Sequence, residues 1–142
     1  MPRIVLDTNV IVAGLQSRNG ASNRLLRLIP DRAFELLLSV PLYLEYEAVL
    51  KRPERSAAHG LNEGQIDMLL AVWARFGVPV TLHYLWRPQL RDAKDEMVLE
   101  TAVNGRADYL VTFNTQDFKP AAPRFGLKLA TPAEWLALWR TP

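Results

Sequence analysis

The sequence predicts an α/β fold: a mostly parallel central sheet with helices on both faces. Two observations carry this. Short apolar runs alternate with amphipathic segments along the whole chain, and the chain closes on a strong helix start at Thr131-Pro132-Ala133-Glu134. Strands that alternate with helices join as parallel strands through right-handed crossovers. A length of 142 residues matches one domain with enough chain to bury a core, so residues 1–142 are read as a single unit.

Each element follows from its own residues. Arg3 to Leu6 is a short apolar run of the kind buried in a parallel sheet, and Phe34 to Leu38 and Tyr109 to Thr112 have the same character. Lys128 to Ala130 is a shorter candidate, and the stretch around Val78 to Leu82 is a further one. Helical periodicity covers residues 22–29, 41–51, 62–76 and 93–104, and a short helix containing Val10 to Leu15 follows Asp7. Pro30, Pro41, Pro53, Pro79, Pro88, Pro120 and Pro132 punctuate these segments. In the last helix Thr131 is the N-cap, Pro132 takes N1 and Glu134 completes a capping box, with Trp135, Leu136, Leu138 and Trp139 available for docking. Parallel crossovers put the strand C-termini along one edge, where the ligand crevice of such sheets lies.

Composition narrows the chemistry. Hydrophobic residues at 49% and charged residues at 23% fit a globular chain rather than a disordered or fibrous one. The absence of cysteine excludes disulfides, thiolate metal sites and cysteine nucleophiles, so any metal is held by oxygen or by the two histidines. A reducing, cytoplasmic setting is the expectation. The apolar run at the N-terminus is far shorter than a signal-peptide core, and no stretch is long enough to span a bilayer. Seventeen basic against fifteen acidic residues leave +2 and a pI near 9.2, a mild bias toward polyanions.

The acidic residues fall into a pattern. Asp7 directly follows Ile4-Val5-Leu6, so a short strand delivers its carboxylate to the C-terminal edge beside Thr8 and Asn9. The alternative role for Asp7 is simply to cap the following helix. Asp95 falls in the centre of the stripe made by Val98, Leu99 and Ala102, whereas Glu96 and Glu100 fall outside it and read as solvent-facing. Its alternative role is a favourable charge in the first turn, with Asp92 as the cap. Glu45 borders the apolar face formed by Leu42, Tyr46, Val49 and Leu50, and Glu47 is expected to pair with Lys51 at i,i+4. Both glutamates sit at margins of that face. Asp117 lies in the polar stretch after Tyr109-Leu110-Val111-Thr112, where it either reaches the crevice or stabilises a turn. Carboxylates that converge raise one another's pKa unless a cation compensates, and magnesium or manganese is the natural partner for such oxygen donors. Those ions support phosphodiester hydrolysis.

Val5-Leu6-Asp7-Thr8-Asn9-Val10, Glu45-Tyr46 before Val49-Leu50, Asp92 to Leu99, and Leu110-Val111-Thr112 to Phe118 together resemble the PIN-domain family over nearly the whole chain. Order and spacing are most similar to the branch of toxin components of toxin–antitoxin systems, related to VapC-like ribonucleases. The resemblance implies a three-layer fold and Mg²⁺- or Mn²⁺-dependent cleavage of RNA by one or two ions. It implies Asp7, Glu45 and Asp95 as core metal ligands and catalytic residues, Asp117 in a fourth, more variable position, and Asn9, Thr112 and Asn114 as support. The chain departs from that branch at Asn114, where relatives often carry aspartate. The family further implies a homodimer and a small antitoxin partner that obstructs the site.

Arg18, Arg24, Arg27, Lys51, Arg52 and Arg55 are the basic residues expected to flank the crevice and hold RNA phosphates. His59 and His83 stand without a nucleophile motif and receive no catalytic role. Two rival readings remain. An aspartyl-nucleophile phosphatase needs a second carboxylate where the chain has Asn9. A catalytically weak or inactive PIN domain would act instead as an RNA-binding or protein-interaction module.

Overall fold

A computed structural model describes residues 1–83, 89–90 and 92–140, so Pro88 lies outside the described residues. Five parallel strands form one sheet: β1 (Arg3–Leu6), β2 (Glu35–Leu38), β3 (Val78–Pro79), β4 (Tyr109–Val111) and β5 (Lys128–Ala130), in the order β3-β2-β1-β4-β5. The helices are α1 (Thr8–Gln16), α2 (Ala21–Leu28), α3 (Val40–Leu50), α4 (Pro53–His59), α5 (Glu63–Phe76), α6 (Ala93–Asn104), α7 (Thr115–Phe118) and α8 (Pro132–Arg140), with a 3₁₀ turn at Ala122–Phe125. This is the expected three-layer α/β/α arrangement.

The strand order explains where a site forms. The chain starts in the centre at β1, steps outward through β2 to β3, then returns to β4 on the other side of β1 and continues to β5. Crossovers in the two directions lie on opposite faces when all are right-handed. Between β1 and β4 the direction reverses, and the helices leaving those strands diverge to open a crevice at their C-terminal ends. The register sets Leu6 opposite Val111, and the Asp7 N–H extends the ladder to the Val111 carbonyl at 2.9 Å. Asp7 and Thr112 therefore emerge side by side.

The core consists of the strand interiors Ile4, Val5, Leu36, Leu37, Leu110 and Val111 with helix residues such as Leu25, Leu42, Leu70 and Leu99 packed on them. Gly14 lets α1 and α2 approach closely, because a Cβ there would collide with Leu26. The capping box of α8 forms as expected: the Thr131 N–H donates to Glu134 Oε1 at 2.8 Å and the Glu134 N–H to Thr131 Oγ1 at 3.2 Å. Its docking differs from expectation. Trp135 and Leu136 are buried, but Leu138 and Trp139 remain 55% and 45% exposed, because only one side of the helix meets α2 and β5.

Further differences concern short or solvated elements. β3 is limited to two residues, held by the bond from the Val80 N–H to the Leu38 carbonyl at 2.7 Å. α4 is an additional helix that buries no residue, starts at Pro53 and ends on Gly60, whose φ of 72° suits a left-handed cap. No helix among the described residues is long and apolar enough to cross a membrane.

Candidate functional site

Asp7 follows β1 and occupies the backbone cap position of α1, yet its side chain makes no capping bond to the helix. The residue is instead 7% exposed, and its carboxylate accepts the Thr112 hydroxyl at 2.7 Å. Capping alone therefore does not account for the residue. Thr112 is itself fixed: its Oγ1 accepts the Asn114 N–H at 3.0 Å and lies 3.5 Å from Asn9 Nδ2, while Asn9 Oδ1 accepts the Phe113 N–H at 3.5 Å. The side chains of Asn9 and Thr112 and the backbone of Asn114 thus tie the end of β4 to the start of α1. The Asn114 side chain makes no capping bond to α7.

Glu45, whose charge is felt at Asp7, precedes Tyr46, which is anchored at the same edge. The Tyr46 hydroxyl, fully buried, donates to the Leu6 carbonyl at the end of β1. Burial, then the negative charge of Asp7, keeps that phenol well above its ordinary range. Ser39 caps α3 by accepting the Leu42 N–H at 3.3 Å, and its hydroxyl pairs with that of Thr101 on α6 at 2.7 Å. The helices carrying Glu45 and Asp95 are thereby cross-linked through two buried hydroxyls.

Asp95 sits half-buried in the first turn of α6, where Asp92 already supplies the cap by accepting the Lys94 N–H at 2.9 Å. Asp95 lines a cleft of about 740 Å³ with Gln89, Leu90, Asp92, Gln116 and Asp117. Burial raises its pKa, and the charges of Asp7, Asp92, Asp117 and Glu96 push it further, to about 6. Asp7 is raised as well, by burial and then by Asp117 and Glu45, against the Thr112 hydroxyl and the Thr8 backbone, which favour the charged form. Asp7 thus feels the charges of Asp117 and Glu45, and Asp95 those of Asp7 and Asp117, across one end of the sheet. They do not close on a single point: among the described residues no three acidic or histidine side chains are grouped tightly enough to hold an ion as they stand. The donor set is all oxygen, which suits a hard divalent cation.

Glu96 and Glu100 overturn the solvent-facing expectation, since each is 3% exposed. For Glu96 the cause is visible: its Oε1 accepts the backbone N–H groups of Gln89 and Leu90, the latter at 2.6 Å. It straps that wall of the cleft onto α6, and Arg124 Nη1 holds Gln89 Oε1 at 2.7 Å from the other side. Helical periodicity carries no signal for a carboxylate whose partners are backbone groups of a preceding loop. The hydroxyl links of Tyr46 and of Ser39 with Thr101 were equally hidden, because Tyr46 reads as an apolar contact and Ser39 only as a cap.

The basic residues divide. Arg52 and Arg55 line a hollow of about 340 Å³ with Thr8 and Asn9, next to Asp7. Lys51 is engaged by Glu47 at 3.2 Å, the expected pair, and by Asp67 at 2.7 Å. Arg18 is exposed between α1 and α2. Arg24 and Arg27 line a different hollow, between α2 and α8. His59 is used structurally, with Nε2 at 2.9 Å from the Leu50 carbonyl and Nδ1 accepting the Leu61 N–H.

Among known proteins, a family model described as a PIN domain matches residues 3–116, a span that contains Asp7, Glu45 and Asp95 and stops one residue before Asp117. No curated protein matches the chain.

Proposed function

This chain belongs to the PIN-domain family, whose members are generally nucleases, and on that premise we propose that it is an endoribonuclease hydrolysing RNA phosphodiester bonds with one or two Mg²⁺ or Mn²⁺ ions. The observation that carries the reading is electrostatic: burial raises Asp7 and Asp95, and neighbouring carboxylates raise both further at the edge where β1 and β4 end. Mutual repulsion of this kind is relieved by a bound cation. Asp7, Glu45, Asp95 and Asp117 are the residues assigned to hold it. When bound, such an ion polarises a phosphoryl oxygen and lowers the pKa of water.

The remaining roles belong to the chain itself. Thr112 donates to Asp7 Oδ2, which favours the ionised carboxylate and fixes its orientation. Asn9 and the Asn114 backbone hold Thr112 in that position. Glu96 keeps the Gln89–Leu90 wall beside Asp95, so the cleft has a defined width. Arg52 and Arg55 offer cations to phosphates next to Thr8 and Asn9.

In the same reading the protein is the toxin of a toxin–antitoxin pair, a cytoplasmic homodimer restrained by a small antitoxin. The resemblance of its motifs to that branch supports the role. Exposed Val40, Leu44, Met68 and Val72 on the adjoining helices α3 and α5 supply apolar surface for the dimer. A short neighbouring gene encoding a DNA-binding protein is the expected genomic signature.

The test is direct. Purified protein degrades RNA with Mg²⁺ or Mn²⁺ and stops in EDTA, with no need for zinc. RNA binding without cleavage in either ion would favour the inactive binding module instead.

A further inference from the structure

Arg24 and Arg27, one turn apart on α2, and Arg140 at the end of α8 surround a hollow of about 250 Å³ together with Asp31 and Trp139. It shares no residue with the acidic cleft. Three arginines against one aspartate leave a local surplus of two positive charges, equal to the net charge of the whole chain. None of the three arginines forms a salt bridge with a described residue. No ion pair among the described residues neutralises their charge.

Trp139 adds a planar surface. Its indole stacks on Trp135 at a centroid distance of 6.2 Å and an interplanar angle of 14°, and Trp135 is anchored in the core edge-on to Phe34 at 5.3 Å. Trp135 is buried, whereas Trp139 is 45% exposed and ends the stack. A rigid ring held in this way loses little entropy when another flat group joins it.

We propose that this hollow is a second RNA-binding site, in which a nucleobase continues the Trp135–Trp139 stack and Arg24, Arg27 and Arg140 hold the flanking phosphates of a single strand. Open aromatic faces set among cations are the combination that binds single-stranded nucleic acid without reading its sequence. An acidic peptide would satisfy the arginines but leave the end of the indole stack without a planar partner. The inference rests on the ribonuclease reading for its choice of RNA, and it separates strand holding, between α2 and α8, from hydrolysis at the carboxylates.

The test measures binding of the full chain to single-stranded oligoadenylate in EDTA, where turnover is absent. Trp139→Ala weakens binding about tenfold, and Trp139→Phe, which retains a ring, recovers most of it. Arg24→Gln with Arg27→Gln lowers the slope of log affinity against log salt by about 1.4, two phosphate contacts of a single strand. Melting curves confirm that each variant is folded, and the arginine pair, exposed at Arg27 and partly buried at Arg24, keeps the question open to decision if Trp139→Ala is not. Unchanged affinity in the folded tryptophan variant together with an unchanged salt slope in the arginine variant overturns the site. Equal competition by polyglutamate overturns the assignment to RNA. If the wild type cleaves RNA while these variants bind it normally, the hollow fails and the nuclease reading stands. If no RNA is cleaved but the variants lose binding as stated, the hollow stands and the nuclease reading fails.

Discussion

The hydroxyl of Thr112, at the end of β4, donates to the buried carboxylate of Asp7, at the end of β1, across 2.7 Å. This bond spans the point where the sheet changes direction, and it supplies the strongest local support for a charge held almost out of solvent. Thr112→Val keeps the shape and removes the donor. The expected cost is about 1.5–3 kcal/mol, the range for hydrogen bonds to charged groups, with much of it recovered in Thr112→Ser. Urea unfolding at neutral pH checks this, and a valine variant as stable as wild type contradicts it.

The pH dependence of the metal-free protein follows from Asp95. Its carboxyl is raised from 3.8 to about 6 in the fold, by burial first and then by Asp7, Asp92, Asp117 and Glu96. The folded chain therefore binds this proton more tightly than the unfolded chain. The resulting stability is fully present below the unfolded value and is lost as the pH rises through about 6. Asp7 shifts in the same direction. In EDTA the melting temperature should fall across that interval, and Asp95→Asn should flatten the fall. Identical profiles for the two proteins would remove Asp95 from the charge cluster.

Glu96 should prove to be a positioning residue for the cleft wall. Glu96→Ala leaves the part-buried N–H groups of Gln89 and Leu90 without their acceptor, at up to about 1–3 kcal/mol for each group that water does not reach. Glu96→Gln retains an acceptor oxygen and should lie closer to wild type. Hydrogen exchange at those two amides reads the effect directly: protection is lost in the alanine variant and kept in the glutamine variant. Protection that survives in both contradicts the strap.

The parts of the fold legible in the sequence are those where one residue type has one physical role. The apolar runs of β1, β2 and β4 have nowhere to go but the sheet interior, and Thr131 with Glu134 can form only one kind of helix start. α4 was illegible by periodicity because it buries nothing, although Pro53 at its start and Gly60 at its end were signals for it. α7 has four residues, too few for a pattern. In the candidate site, the placement of Asp7 followed from the strand before it, whereas Asp95, expected at the centre of the buried stripe, is half-buried and lines the cleft while Glu96 and Glu100 are the buried carboxylates of that helix. Glu96 was misread because polarity predicts exposure only when no buried donor awaits the charge. Arg24 and Arg27 were grouped with Arg52 and Arg55 by type, but the separation of α2 from α4 in the fold assigns them to different hollows.

Asp95→Asn, examined for RNA cleavage and for melting temperature with and without Mg²⁺, tests the proposed metal site most directly. The substitution keeps the shape and removes one negative charge. In EDTA the variant should keep its fold and melt at or above the wild type, because the carboxylates of the metal-free protein repel one another. Added Mg²⁺ should raise its melting temperature less than that of wild type, since stabilisation follows affinity for the folded state. Cleavage should fall about 10²–10³-fold, as for loss of a group that stabilises transition-state charge. If Asp95 served only the first turn of α6, the variant would lose about 1 kcal/mol or less, and cleavage and the response to Mg²⁺ would match wild type, contradicting the metal site.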